Sequence, residues 1–266
     1  MPITAQDTAL ITGASSGIGW ELARCFAAAG HNVVLTARNE AKLHKLADEL
    51  TAKHKITATR IVADLARPDA PRELYDQLKR DGVDVGVLVN NAGFGNNGRL
   101  MDHDVQGELN LVQVNVHAAL HLARLFGADM VTRGRGGILN VASVAAYQPG
   151  PLMANYYASK AYLLSLSEAM WFELSKCGVA VTALCPGPTE TAFFERAGAG
   201  QPRSAVRCVT GAMSPGRVAQ AGYQGLIAGR RVVIPGLSNQ LMALAAKVAP
   251  RALSARLART FNERFQ

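Results

Sequence analysis

The stretch that most constrains this chain is its opening run. Asp7-Thr-Ala-Leu-Ile-Thr12 reads as a short buried strand, Gly13-Ala-Ser15-Ser16-Gly17-Ile18-Gly19 follows at once, and an apolar-periodic helix then continues through Ala29 to a stop at Gly30. Strand, glycine loop and helix in that order make a phosphate site. Glycines let the backbone turn tightly and come close to a pyrophosphate, and the free N–H groups at the start of the helix face the anion. A bare trio of glycines is weak evidence, but here it has the flanking strand and helix that the chemistry requires.

Further strands, each running into a loop or helix, follow. Asn32 to Ala37 leads into Arg38 and Asn39, with Asn39 placed to cap a helix bearing Lys42 and Leu43. An acidic residue at this corner would hold a ribose 2′-hydroxyl, whereas Ala37-Arg38 offers a guanidinium suited to a 2′-phosphate, so NADP is expected in preference to NAD. A plain surface arginine is the alternative. Ala58 to Ala63 ends in Asp64-Leu65, a carboxylate placed to accept from an adenine amino group, or else a solvated turn aspartate. Val85 to Asn90 leads into Asn91-Ala92-Gly93-Phe94-Gly95, where small residues admit a cofactor and Asn90 can tie neighbouring strands together. One long helix is expected from about Asp104 to Thr132, with Asn115 inside it holding a water or a backbone carbonyl.

The chemistry sits between Ser143 and Lys160. Ser143 ends the strand Gly137 to Ala142 and supplies a neutral hydroxyl at the sheet's carboxyl edge. In a helix starting near Tyr156, Tyr156 and Lys160 share one face, and a lysine ammonium beside a phenol favours the phenolate. Such a pair makes a proton donor, although Tyr-x-x-x-Lys alone recurs by chance. After the sixth strand, Val179 to Cys185, comes Pro186-Gly187-Pro188-Thr189-Glu-Thr191, whose threonine hydroxyls suit a carboxamide or phosphate. A substrate flap is expected over about 189–214, with a short helix near Phe193 to Ala197. A basic, apolar entrance would come from Phe193, Phe194, Arg203 and Arg207. Ser214-Pro215 starts another helix, and Arg231 to Pro235 is a last strand.

With 266 residues and 49% hydrophobic composition the chain can bury one large α/β core. The expected organisation is a catalytic domain over 1–236 and a basic amphipathic helical extension over 237–266. The first residues lack the basic and apolar regions of a secretory leader, so the cytoplasm is expected. Cys25, Cys177, Cys185 and Cys208 lack disulfide or zinc-ribbon spacing. His117 and His121 have no third ligand placed by sequence, so no metal is expected. The net charge of +8 is carried by the last quarter, which has ten Lys and Arg against Glu263 alone. That bias suits an anionic partner or solvated surface, while no nucleic-acid recognition motif accompanies it. The two tail helices, Asn239 to Val248 and Pro250 to Phe265, are too short to span a bilayer. A lid, a subunit contact and peripheral attachment to a membrane surface all remain open for them.

Taken together, Thr12-Gly-Ala-Ser-Ser-Gly-Ile-Gly19, Asn90-Asn-Ala-Gly93, Asn115, Ser143, Tyr156-x-x-x-Lys160 and Pro186-Gly187 closely resemble the short-chain dehydrogenase/reductase family, single-domain branch. The resemblance implies a doubly wound, Rossmann-like sheet of seven parallel strands, usually in a homotetramer or homodimer. It also implies NADP-dependent interconversion of a ketone or aldehyde and an alcohol on a hydrophobic or 3-oxoacyl substrate. In that scheme Tyr156 is the acid or base, Lys160 binds the nicotinamide ribose and lowers the tyrosine pKa, Ser143 polarises the carbonyl, and Asn115 holds a relay water. Gly13, Ser16, Ile18, Arg38, Asp64, Asn90 and Thr189 are implied cofactor contacts, and the flanking Ser15, Gly17, Gly19, Asn39, Leu65, Asn91, Ala92, Gly93, Pro186, Gly187 and Thr191 are expected beside them. A cofactor-sensing or scaffold protein with a basic tail is the competing reading, against which the intact Ser143, Tyr156 and Lys160 count.

Overall fold

In β1 (Thr8–Thr12) successive side chains leave opposite faces, and both faces are covered: Ala9 and Ile11 join one core, Leu10 another. The strand lies in a seven-stranded parallel sheet, seen in a computed structural model that describes residues 3–191, 193 and 212–264. The other strands are β2 (Val33–Ala37), β3 (Ala58–Val62), β4 (Val85–Asn90), β5 (Gly136–Val141), β6 (Val179–Leu184) and β7 (Val232–Val233). Their order is β3-β2-β1-β4-β5-β6-β7, with Leu10 opposite Val34 on one side and Leu88 on the other. The strand order reverses at β1 and β4, so their loops part there and leave a crevice at the carboxyl edge.

Helices cover both faces. On one, Leu22 and Phe26 of α1 (Gly17–Ala28), Leu43, Leu46 and Leu50 of α2 (Glu40–His54), and Val218 and Leu226 of α7 (Pro215–Ile227) form a single core with the sheet. On the other, Leu74 and Leu78 of α3 (Ala70–Arg80) meet Leu122, Phe126 and Met130 of α5 (Ala119–Thr132). The long α6 (Ala154–Leu174) lies on this second side, with Met170 and Trp171 against the same core. The doubly wound α/β fold expected from the motifs is therefore the fold observed.

Three local expectations need correction. The helix expected over 104–132 is α4 (Val105–Val112), a π-helical stretch (Gln113–Ala118) and α5 in succession, because the turn holding Asn115 is widened. The strand expected over 231–235 pairs only at Val232 and Val233, since Pro235 has no N–H to extend an edge ladder. β5 starts and ends one residue earlier than expected. The tail forms α8 (Leu237–Val248) and α9 (Arg251–Glu263), close to the expected spans.

Gly178 joins α6 to β6 at a φ of 74°, and a Cβ there would stand 2.1 Å from the Gly134 carbonyl oxygen. Gly229 has a similar φ of 64° but open space around it. Gly229→Ala is expected to cost about 1 kcal/mol, the backbone penalty alone, and Gly178→Ala about 3 kcal/mol. Urea unfolding of both variants checks this; equal costs would mean that the carbonyl simply moves aside.

Candidate active site

A cavity of about 1080 Å³ occupies the crevice, running from the glycine loop past Tyr156 to the tail helices. At one end Gly13 and Gly17 take left-handed φ values of 67° and 61°, turning the chain from β1 into the start of α1. The Thr12 hydroxyl accepts hydrogen bonds from the N–H groups of Asn91 and Ala92, and the Asn91 side chain donates to the Thr12 carbonyl at 2.8 Å. The glycine loop is thereby clamped to the loop after β4. A Cβ on Gly13 would come within 2.9 Å of Ala92 Cα, so this approach excludes any side chain there. Thr12 appeared in the sequence motif, but its clamping role was not foreseen.

Ser15, Ser16, Gly17, Ile18, Arg38, Asn39, Asp64, Leu65, Asn91, Ala92 and Gly93 line this end of the cavity together with Gly13; Pro186, Gly187, Thr189 and Thr191 line it from the loop after β6. Gly19 does not: its Cβ position points at Asn91 Nδ2 (2.3 Å) and the Gly13 carbonyl (2.5 Å), so it serves helix-to-loop packing. Asn39 caps α2, accepting from Lys42 N at 2.9 Å. Arg38 is exposed at the rim, and among the described residues it makes no ion pair. The combination of left-handed glycines, an open helix start and an elongated crevice fits a dinucleotide, with its phosphates against the glycine loop.

At the middle of the cavity β5 delivers Ser143 and the first turns of α6 deliver Tyr156 and Lys160. Ser143 Oγ accepts from Ala145 N at 3.1 Å and donates to the Pro186 carbonyl at 3.5 Å, and it lines the cavity together with the Tyr156 phenol. Lys160 is buried, donates to the Val141 carbonyl at 2.7 Å, and places Nζ 5.8 Å from the centre of the Tyr156 ring. Burial pulls the Lys160 amine down to about 8. Burial also raises the Tyr156 phenol above its ordinary value, with the Ser143 hydroxyl opposing; in this geometry burial, and not Lys160, sets the direction. Cys185 beside them is buried and pushed up to about 12, chiefly by burial, so it is a neutral thiol.

Asn115 does not line the cavity. Its side chain accepts from Phe94 N at 3.1 Å and donates to the Phe94 carbonyl and Ser159 Oγ, bracing the loop after β4 against α6. A Cβ on Gly93 would fall between Asn115 Oδ1 (3.0 Å) and Lys160 Nζ (3.4 Å), so a side chain there would press on both groups. Deeper, Asn90 donates to Asn140, Asn140 to Ser167, and Ser167 to the Leu163 carbonyl. This buried chain ties β4 and β5 to α6, and so fixes where Tyr156 stands.

The far end is apolar and is walled by the tail, in keeping with the lid left open for it, although the sequence does not pick out its residues. Met153 and Tyr157 line it from α6 and the residue before it, Met242 from α8, and Leu257 and Phe261 from α9. The Tyr157 hydroxyl donates to Asn262 of α9 at 3.2 Å, and Asn262 donates to the Pro151 carbonyl at 2.8 Å. Only the helical period of the tail and the Tyr156-Tyr157 doublet hinted at these contacts. Phe193 packs against Tyr156 with ring centres 4.9 Å apart and the planes tilted by 49°. Phe194, Arg203, Arg207 and the rest of the expected flap helix lie outside the described residues, as does Cys208.

Comparison with known proteins agrees with this construction. The model of the short chain dehydrogenase family matches residues 7–202, and the chain belongs to that family. A short-chain dehydrogenase from Sphingobium yanoikuyae, solved in complex with NADPH, is 34% identical with a TM-score of 0.81, over 90% of this chain and 91% of that one. The bulky-bulky ketone specific alcohol dehydrogenase from Comamonas testosteroni is 31% identical with a TM-score of 0.77, over 96% and 99%. A family member from Burkholderia phymatum, solved with NAD, is 27% identical with a TM-score of 0.79, over 96% and 95%. Among curated relatives, a very-long-chain 3-oxoacyl-CoA reductase from Phaeosphaeria nodorum is 37% identical over 179 residues, which are 65% of this chain. The chain spans about half the length of that relative. Among the described residues no helix is long and apolar enough to cross a membrane.

Proposed function

We propose that this oxidoreductase uses NADP(H) to interconvert a lipophilic ketone or aldehyde and its alcohol, with Tyr156 as the proton donor and acceptor. The observation that carries this reading is the convergence of Ser143, Tyr156 and Lys160 on one cavity wall, continuous with the glycine loop. When bound, the nicotinamide cofactor supplies the hydride. The chain supplies the rest. The raised phenol is fully protonated at neutral pH, and Ser143 sits where its hydroxyl can share the substrate oxygen with it. As the proton leaves, the Lys160 ammonium favours the phenolate that remains. Asn115 acts through Phe94 and Ser159, holding the loop and helix that frame the reaction, and is a positioning residue.

The substrate class rests on the far wall, where Met153, Met242, Leu257 and Phe261 present apolar surface and no charge. The similarity to a bulky-ketone alcohol dehydrogenase and to a long-chain 3-oxoacyl reductase is in keeping with a large apolar group in that space. Steady-state oxidation of NADPH against a panel of steroids, aromatic ketones and 3-oxoacyl thioesters ranks the substrates. Small polar sugars should be poor ones.

The preference for NADP is supported by Arg38, exposed at the cavity rim with no acidic residue at the end of β2. Arg38→Asp removes a charge-assisted contact and adds repulsion, so KM for NADPH should rise by about 100-fold while KM for NADH changes little or falls. An unchanged NADPH KM would remove Arg38 from the 2′-phosphate and reopen NAD as the cofactor.

A further inference from the structure

The tail helices are docked the wrong way round for ordinary amphipathic helices. α8 and α9 meet the body through small and polar residues, with Asn239 and Ala243 buried on one and Ser254, Ala258 and Asn262 on the other. Most of their larger apolar side chains, Phe261 apart, are left outside. Leu237, Leu241, Leu244 and Val248 are spaced by four, three and four residues and so form one stripe, with exposures of 72%, 60%, 59% and 79%. α9 adds Leu253 and Leu257, both exposed. Scattered exposed leucines are unremarkable, but an ordered stripe of them marks a surface that something covers.

Charge identifies the occupant. The same two helices and the residue that follows them carry Lys247, Arg251, Arg256, Arg259 and Arg264 against one carboxylate, Glu263, already paired with Arg259 at 2.8 Å. A second copy of this face would bring the same cations toward themselves. A bilayer with anionic headgroups takes leucine side chains below the interface and arginines at headgroup level. We infer that α8 and α9 are a membrane-surface contact, which seats the enzyme on anionic lipid with the leucine stripe inserted. Met242, on α8, and Leu257, on α9, are both exposed and line the cavity, so the attached face lies next to the cavity's apolar end.

The test is co-sedimentation of the full chain with vesicles, read as binding and independent of turnover. With about one-third phosphatidylglycerol in phosphatidylcholine at about 50 mM salt, binding should exceed that to pure phosphatidylcholine at least about 10-fold and fall steeply by about 0.5 M salt. Arg256→Gln with Arg259→Gln should weaken binding about 30-fold, and Leu241→Gln with Leu244→Gln at least about 10-fold. None of these four residues lines the cavity, so thermal midpoints and NADPH affinity should hold, which guards against misfolding. Equal binding to neutral and anionic vesicles, or no effect of the leucine pair, would overturn the inference. So would a concentration-dependent dimer that the leucine pair dissolves, because the stripe would then belong to a second copy.

Discussion

Replacing Tyr156 with phenylalanine is expected to lower kcat/KM for carbonyl reduction about 1000-fold, equivalent to about 4 kcal/mol of lost transition-state stabilisation. NADPH affinity should stay within about 2-fold, because the phosphates are held at the glycine loop, at the other end of the cavity. The neighbouring tyrosine provides the control. Tyr157 packs its ring against Gly150, where a Cβ would stand 2.2 Å from it, and spends its hydroxyl on Asn262. Tyr157→Phe should therefore lose a helix contact and some stability, with turnover reduced only a few-fold. Steady-state kinetics and cofactor fluorescence on the two variants separate the roles. Comparable losses in both would mean that the tyrosines act as a packing unit and that neither is the acid.

Lys160→Met should move activity and stability in opposite directions. Turnover is expected to fall at least about 100-fold, because no cation remains to favour the phenolate. The fold, however, is relieved of a buried amine whose one hydrogen bond among the described residues is to the Val141 carbonyl, and should gain about 1 to 2 kcal/mol near neutral pH. Below about pH 8 the amine is protonated in both the folded and the unfolded chain, so the folded state carries the whole cost of burying the charge. Between about 8 and the ordinary lysine value near 10.4 the folded amine gives up its proton first, and the cost shrinks to nothing. Thermal melts of wild type and Lys160→Met should thus be separated at pH 7 and converge toward pH 10. A variant less stable at pH 7 would show that the ammonium is stabilised by its surroundings and not merely tolerated.

Much of this site could be read from the chain because its parts are local. A strand running into a glycine turn and a helix, an asparagine ahead of Lys42, and a tyrosine four residues before a lysine each follow from backbone geometry over a few residues. The π-helical stretch at Gln113–Ala118 could not be read, since Leu109, Val112, Val116 and Leu120 follow ordinary helical spacing, yet Leu109 and Val112 are exposed and Leu111, Asn115 and Ala118 are buried instead. Asn115 stands out in the sequence as an unusual helix residue, expected to hold a relay water, yet its partners, Phe94 and Ser159, are set by tertiary packing. The tail was hardest. Its amphipathic pattern suggests leucines turned inward, whereas Asn262 ties α9 to Tyr157 and the Pro151 carbonyl and Asn239 packs α8 against Gly187. The Asn262 bonds to Tyr157 and Pro151 and the close Asn239–Gly187 contact are tertiary, and hydropathy alone does not register them.

The most direct test of the central claim is to follow the hydride itself. NADPH deuterated at one or the other nicotinamide C4 position is supplied to the purified protein with a lipophilic ketone, and the alcohol is examined by mass spectrometry. The account predicts deuterium in the carbinol from only one of the two labelled forms, with the signal abolished by Tyr156→Phe. NADPH consumed without label in the alcohol, or tightly bound NADPH with no consumption across the ketone panel, would contradict it.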